Sequence, residues 1–317
     1  MTLNENLYLG ATMGETFSNL HLNFSEDNLL ALNISIAIIM FGVALGIDKS
    51  KFVEIAKNPK AVITGVFSQI ILLPALTFLL ILIVKPLPEI AMGMILVAAC
   101  PGGNVSNFFS SISKGNIALS ISLTAIATLS AVFITPANFT FWSELYLEKN
   151  QNFNFDIPYE TMFRTVVLIL GLPLILGYFF AAKFKDLTLK IIKPIRIFSF
   201  LILIAIILMA FTKNIDAFKE YYEYIIYIVL IHNAIALLSG YYFSRLMRLP
   251  MEDAKTISIE TGIQNSGLAL VIIFGMFDGN GGMALIAAWW GIWHIISGFV
   301  IAMIYTKGNL LTINVAK

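Results

Sequence analysis

Charged side chains are what this sequence has least of. Asp, Glu, Lys and Arg together make up 12% of its 317 residues, about half the share of an ordinary soluble domain, which excludes a water-solvated globular surface. Cysteine is almost absent. Cys100 alone rules out an internal disulfide and any multi-cysteine metal site, and one thiol without a partner is read as a small packed residue. Residues 1–28 hold no Lys or Arg and no apolar run of spanning length, so they lack both the basic start and the core of a signal peptide. They read as a polar N-terminal tail with at most a weak amphipathic helix around Phe17 to Phe24. A His-Glu-x-x-His helix is missing, and so is a pair of intramembrane aspartates, which removes the usual intramembrane proteases. The chain is not read as an enzyme, and no organic cofactor is expected. The net charge of +1, with Lys and Arg confined to short connections, points to no nucleic-acid partner. No obligatory protein partner is inferred.

What the sequence has in abundance is apolar surface: 58% of residues are hydrophobic and the mean hydropathy is +0.85. Runs long enough to cross a bilayer fall at 29–47, 61–84, 90–113, 116–142, 160–182, 192–212, 222–244, 252–277 and 281–306. The fold class is therefore an all-α polytopic membrane protein with nine transmembrane helices. Fifteen of the twenty Lys and Arg fall on one side of these spans, leaving Lys85, Lys149, Arg164, Lys213 and Lys219 on the other. By the positive-inside rule the N-terminus is outside and the C-terminus cytoplasmic, as expected for the cell (inner) membrane.

Two runs carry polar, glycine-containing interruptions. One reads Cys100-Pro-Gly-Gly-Asn-Val-Ser-Asn107, the other Glu260-Thr-Gly-Ile-Gln-Asn-Ser-Gly267. A shift of 164 residues lays Gly115-Asn116 on Gly279-Asn280 and brings the two interruptions together. Spans one to four map onto spans six to nine, five helices later, so the copies cross in opposite directions: an inverted repeat. Proline and glycine give the first break a local cause. The chain divides into a polar tail (1–28), a first repeat (29–142, interrupted at 90–113), span five with its flanking connections (143–191), a second repeat (192–306, interrupted at 252–277) and a cytoplasmic tail (307–317). Glu260 lies near mid-membrane, where a charge costs roughly 2.5–3.5 kcal/mol or more and is functional by default.

Cys-Pro-Gly-Gly-x-x-Ser-Asn (Cys100 to Asn107), the following Gly115-Asn116-x-Ala118-Leu119-Ser120, and Glu260-x-Gly262-x-Gln264-Asn265-Ser266-Gly267 resemble the bile acid:sodium symporter family over nearly the whole chain from about residue 29. The resemblance implies a panel domain and a core domain, two broken helices crossing at mid-membrane, and sodium-driven import of an organic anion by alternating access. This chain is similar to a nine-span variety that lacks an extra N-terminal helix. The resemblance places a first sodium site on Ser106, Asn107, Ser120, Thr124 and Glu260. A second falls on Gln69, Glu260 and Gln264 with the main-chain carbonyls of Thr261 and Ile263. Hydroxyl, amide, carboxylate and carbonyl oxygens suit a hard monovalent cation. Two sodium ions against one carboxylate leave a charge of +1, so a monoanion would neutralise the site and its transport would be electrogenic. Asn104, Asn265 and His294 are candidate contacts for the anion, which is a bile-acid-like steroid conjugate or a small carboxylate such as pantoate or a 2-oxo acid.

Blander roles stand beside these. Ser and Thr in membrane helices usually bond their own backbone, Gln69 can simply bridge two helices, and His294 can donate one bond in a helix interface. His232 and Asn233, the second copy's counterpart of the Gln69 region, read as packing residues, and Pro74, Pro173 and Pro194 as kinks or helix starts. Two other functions share the architecture: a proton-coupled carboxylate transporter or exchanger in which Glu260 titrates, and a membrane ligand sensor.

Overall fold

The computed structural model describes residues 26–46, 59–103, 105–151, 153, 155–213 and 215–313. The tail with its suggested helix around Phe17 to Phe24, and Asn104, lie outside the described residues. Among the described residues eleven helices follow one another: α1 Glu26–Leu45, α2 Pro59–Val84, α3 Pro88–Ala99, α4 Ser106–Ile112, α5 Ile117–Lys149 and α6 Tyr159–Lys183, then α7 Lys185–Lys213, α8 Ile215–Leu246, α9 Met251–Gly262, α10 Ser266–Met276 and α11 Gly281–Ile313. No strand occurs among the described residues. Five of these helices contain stretches long and apolar enough to cross a membrane: α2, α5, α6, Tyr222–Leu246 within α8 and Gly281–Thr306 within α11. Outward-facing Ile83, Leu189, Phe179 and Phe133 are more than 60% exposed, a surface that a hydrocarbon solvent suits and water does not.

Helix limits overrun the apolar runs. α5 continues to Lys149 instead of ending near 142, and α7 begins at Lys185 instead of 192. Backbone hydrogen bonding does not end where the hydrocarbon does, so charged turns such as the one holding Glu144, Glu148 and Lys149 stay helical beyond the apolar stretch.

Two prolines act as the sequence suggests, with a specific geometry. In α2 a π-turn spans Ser68–Leu72, directly before Pro74, and the Leu73 amide reaches back to the Ser68 carbonyl. Pro74 has no N–H for the carbonyl four residues earlier, that of Ile70, and the Asn138 amide of α5 donates to that carbonyl at 2.8 Å. α6 repeats the arrangement, with a π-turn at Val167–Gly171 ahead of Pro173. Pro194 lies inside α7.

The interruptions are real breaks. α3 stops at Ala99, where Cys100 turns extended (φ −71°, ψ 154°), and α9 stops at Gly262, where Ile263 turns extended (φ −107°, ψ 95°). The two extended pieces meet antiparallel. The Gly103 amide donates to the Ile263 carbonyl at 2.7 Å and the Asn265 amide to the Pro101 carbonyl at 2.8 Å, pairing Gly102 with Gln264. Backbone groups freed by each break are thus satisfied by the other, as an apolar surrounding demands. After each break the chain turns again in matching fashion: Lys114 (φ 55°) and Asp278 (φ 48°) are both left-handed. Asn116 then caps α5 through the Leu119 amide at 3.0 Å, and Asn280 caps α11 through the Met283 amide at 3.1 Å. Both pairs stand 164 positions apart. Around the crossing, α3, α10 and α11 supply half of a continuous buried core that includes Met92, Leu96, Leu268, Ile272, Ile286 and Trp290.

Candidate functional site

The crossing holds Glu260 in the last turn of α9, fully buried and without an ion-pair partner among the described residues. Its charge is met by hydroxyls from two other helices. Ser106, the first residue of α4, donates to Oε1 at 2.6 Å, and Ser120 of α5 donates to the same oxygen at 2.5 Å. Thr124, one turn further along α5, lies 3.2 Å from Oε1 and 3.0 Å from Oε2. The i,i+4 spacing of Ser120 and Thr124 puts both on one helix face. Asn107 closes the cluster, its Oδ1 3.0 Å from the Ser120 hydroxyl and its Nδ2 3.3 Å from the Thr124 hydroxyl. All five residues of the first expected site therefore come together.

The composition of this cluster bears on what it can hold. Each hydroxyl has one proton and two lone pairs. Ser120 faces two acceptors, Asn107 Oδ1 and Glu260 Oε1, and Thr124 faces both carboxylate oxygens, so acceptors outnumber protons. A hard monovalent cation fits such a set, because hydroxyls can turn their lone pairs toward it while the carboxylate supplies the charge.

Part of the second expected site meets at Oε2 of the same carboxylate. A methyl group on Gly102 would lie 3.2 Å from Gln69 Oε1, 3.3 Å from Glu260 Oε2 and 3.4 Å from the Glu260 carbonyl. Gln69 and Glu260 thus present oxygens to one point that only a glycine leaves open. Gln69 is buried with neither amide atom partnered among the described residues, and Gln264 Oε1 is likewise buried and unpartnered. Orphaned buried amides are costly, and the Gln69 amide oxygen beside a carboxylate suits a cation more than helix bridging. The Thr261 carbonyl accepts from Gln264 Nε2 at 2.8 Å and the Ile263 carbonyl accepts from Gly103. Each keeps a second lone pair. The Ile263 side chain packs with Phe109, Ile259 and Ala302, so only its carbonyl is available.

The expected anion contacts do not assemble in this way. Asn265 spends its side-chain oxygen capping α10, accepting from the Leu268 amide at 3.1 Å. His294 is buried in α11 with Nδ1 unpartnered, and no hydrogen bond joins it to the Glu260 cluster among the described residues. His232 packs as expected, bonding Thr77 through Nε2 at 2.7 Å and meeting the Trp290 ring edge-on at 4.8 Å between centroids.

Three contributors escape a reading of the sequence. Gly102 forms the cradle just described. Ser68 bonds the Thr261 hydroxyl at 2.9 Å. Asn233 donates to the Gly262 carbonyl at 2.7 Å, holding the end of α9. Asn233 and His232 stand 164 positions after Gln69 and Ser68. The repeat itself is the signal that could have singled out Ser68 and assigned Asn233 to the break.

Removing one neutral oxygen ligand costs about 1–1.5 kcal/mol, which is roughly tenfold in affinity. Asn107→Ala and Gln69→Ala should each raise the sodium concentration for half-maximal thermal stabilisation by about that factor. An unchanged sodium dependence in either variant would remove that residue from the ligand set.

Comparisons with known proteins show the family. The family model described as Sodium Bile acid symporter family matches residues 33–221, more than half of the chain. A Bacillus subtilis (strain 168) protein named "Uncharacterized sodium-dependent transporter YocS" is 29% identical over 297 residues, covering 94% of this chain and 88% of that protein. "Probable sodium/metabolite cotransporter BASS1, chloroplastic" of Arabidopsis thaliana is 29% identical over 288 residues, 90% of this chain and 68% of that one. "Sodium-dependent organic anion transporter" of Bos taurus is 25% identical over 296 residues, 92% and 75% of the two chains. These are names of transporters, not of enzymes. With its long apolar helices and a buried, oxygen-lined carboxylate, the chain is an integral membrane protein and belongs to the sodium bile acid symporter family.

Proposed function

We propose that this protein is a secondary symporter that imports an organic anion with two sodium ions by alternating access. The observation that carries the reading is the double use of Glu260. One carboxylate faces Ser106, Ser120 and Thr124 through its oxygens while Oε2 also shares the Gly102 cradle with Gln69. A first ion is held by Ser106, Asn107, Ser120, Thr124 and Glu260. The second is held by Gln69, Glu260 and Gln264 with the carbonyls of Thr261 and Ile263. Together they offset a charge that would otherwise be buried unpaired.

The break at which both ions sit is built by four separate segments, α2, α5 and the two crossing pieces. Sodium therefore ties together elements that must be ordered before an anion binds beside them. If sodium raises anion affinity, linkage requires the anion to raise sodium affinity by the same factor. The substrate is a monoanion, either a steroid conjugate or a small carboxylate such as pantoate or a 2-oxo acid. The paired left-handed turns and asparagine caps support an inverted repeat of 29–142 on 192–306. The same symmetry supports nine spans with a panel and a core domain, and the Lys and Arg bias supports an N-terminus outside and a C-terminus in the cytoplasm, in the inner membrane.

Two measurements test this. In proteoliposomes, at least one labelled organic monoanion should accumulate under an inward sodium gradient and not under an equal potassium gradient, with net positive charge moving inward. Accumulation driven by a proton gradient alone would replace sodium coupling with proton coupling. A reporter fused near residue 5 should be accessible from outside and one after residue 317 from the cytoplasm; finding both on one side refutes the nine-span topology.

A further inference from the structure

Asn116, one turn before Ser120, and Asp253, two turns before Glu260, join the starts of α5 and α9. The Asn116 side-chain amide donates to Asp253 Oδ1 at 2.8 Å. Spacings of i,i+4 and i,i+7 put this bond on the same helix faces as the bond between Ser120 and Glu260. Asn116 gives its remaining polar groups to the same junction. Its backbone amide donates to the Glu252 carbonyl at 3.3 Å, its carbonyl accepts from the Thr256 hydroxyl at 3.2 Å, and its side-chain oxygen caps α5. Glycine permits the approach: a methyl group on Gly115 would lie 2.6 Å from the Thr256 hydroxyl. The Gly115 amide donates to the Ser110 carbonyl at 2.9 Å, which ties the last turn of α4 to the same knot.

Asp253 is buried, and no ion pair meets it among the described residues. It lies in the first turn of α9, where the dipole favours a carboxylate. From Asp253 to Glu260 α9 rises about 10.5 Å, and from Asn116 to Thr124 α5 rises about 12 Å. The two helices thus form a ladder, with a lower rung at Asn116 and Asp253 and an upper rung at Ser120, Thr124 and Glu260. Ion ligation at the upper rung depends on register. A slip of one residue would carry Glu260 about 1.5 Å along the axis and turn it about 100° from the Ser120 and Thr124 face. The repeat separates register from ion binding. Glu89 and Asn280 stand 164 positions from Asp253 and Asn116, at the starts of α3 and α11. Those helices also pack closely, since a methyl group on Gly93 would lie 2.8 Å from the Met283 backbone. There the upper positions are Leu96, Ala284 and Ala288, whose side chains offer an ion no oxygen.

We propose that Asn116 and Asp253 are positioning residues for the first sodium site, acting through Ser120, Thr124 and Glu260 by fixing the register of α5 on α9. The inference rests on the two-ion reading above and adds two residues that supply no oxygen to either ion. Asp253 contributes an acceptor for Asn116, and its charge is not what the site needs. Asp253→Asn keeps an oxygen at that place and retains the function, whereas Asp253→Ala loses it.

The test uses full-length protein in detergent with sodium chloride as the probe, balanced by potassium chloride to constant ionic strength, and reads half-maximal sodium from the thermal midpoint. Asp253→Ala should lower the midpoint in potassium and raise half-maximal sodium about tenfold, as coupling within one hydrogen-bond network allows. Asp253→Asn should return half-maximal sodium to within about twofold of wild type. Thr256→Val removes one bond of the lower rung while keeping the shape, and should raise half-maximal sodium about threefold even if Asp253→Ala does not fold. Glu89→Ala, the matching truncation in the copy without ion ligands, should lower the midpoint in potassium and leave half-maximal sodium as in wild type. Unchanged half-maximal sodium in Thr256→Val, or in folded Asp253→Ala, would overturn the positioning role and leave the sodium sites standing. Equal losses in Asp253→Ala and Asp253→Asn would overturn it in favour of a charge effect, and an equal loss in Glu89→Ala in favour of general destabilisation. Absence of sodium stabilisation in wild type itself would remove the two-ion reading and the positioning role with it.

Discussion

Glu260→Gln abolishes sodium-dependent uptake while the protein remains inserted and folded. The substitution is nearly isosteric, and a glutamine oxygen can still accept from Ser106 and Ser120 where the carboxylate does now. Folding is therefore expected to survive, since a neutral amide is cheaper to bury than a lone carboxylate. Ion binding is not. Both proposed sites draw their only negative charge from this group, and a cation surrounded by neutral oxygens alone in a buried setting loses the attraction that offsets its dehydration. We expect a loss of at least about 100-fold in sodium affinity, or ~3 kcal/mol. At working sodium concentrations, uptake of whichever anion wild type accumulates should fall to the level seen in potassium. Uptake at wild-type rates would refute the two-ion site.

Gly102→Ala has the second largest expected effect, and for a different reason. The added methyl enters the point toward which Gln69 Oε1, Glu260 Oε2 and the Glu260 carbonyl converge, at 3.2–3.4 Å from all three. It occupies the space proposed for an ion and pushes the proposed ligands apart without removing any of them. Overpacking of this kind costs about 1–3 kcal/mol of stability, which the crossing should tolerate because its backbone pairing uses Gly103 and Asn265. Half-maximal sodium should rise by about 100-fold, with the Gln69 site lost first. Gly275→Ala, on α10 with nothing within 4 Å of the added carbon, is the matched control and should leave sodium dependence unchanged. Equal sodium responses in the two variants would show that the space beside Gly102 holds no ion.

The sequence carried the helical class and the two breaks because each has a local cause: long apolar runs, a proline and paired glycines, and polar residues at mid-membrane depth. Through the family resemblance it also carried the five residues that meet at Glu260. Ser120 and Thr124 share a face, and Ser106 and Asn107 open the helix that follows the first break. The cradle at Gly102 was not legible, because it depends on α2 and α9 meeting a backbone from another segment, and a glycine in a break reads as flexibility alone. Asn138 was invisible for a similar reason. Its function is to satisfy the Ile70 carbonyl that Pro74 frees, 68 positions away in the chain. Asn265 has a role its position did not suggest. Its position suggested an anion contact, and its side-chain oxygen also accepts from the Leu268 amide that opens α10.

The most direct test of the central claim is thermal stability of the purified protein in detergent, measured in sodium chloride and potassium chloride at equal ionic strength, for wild type and Glu260→Gln. Ligands that bind only the folded state stabilise it by mass action, about 2.7 kcal/mol at a concentration 100 times the dissociation constant. The account predicts that sodium alone raises the wild-type midpoint and that Glu260→Gln loses the response. Identical behaviour of both proteins in both salts would contradict it.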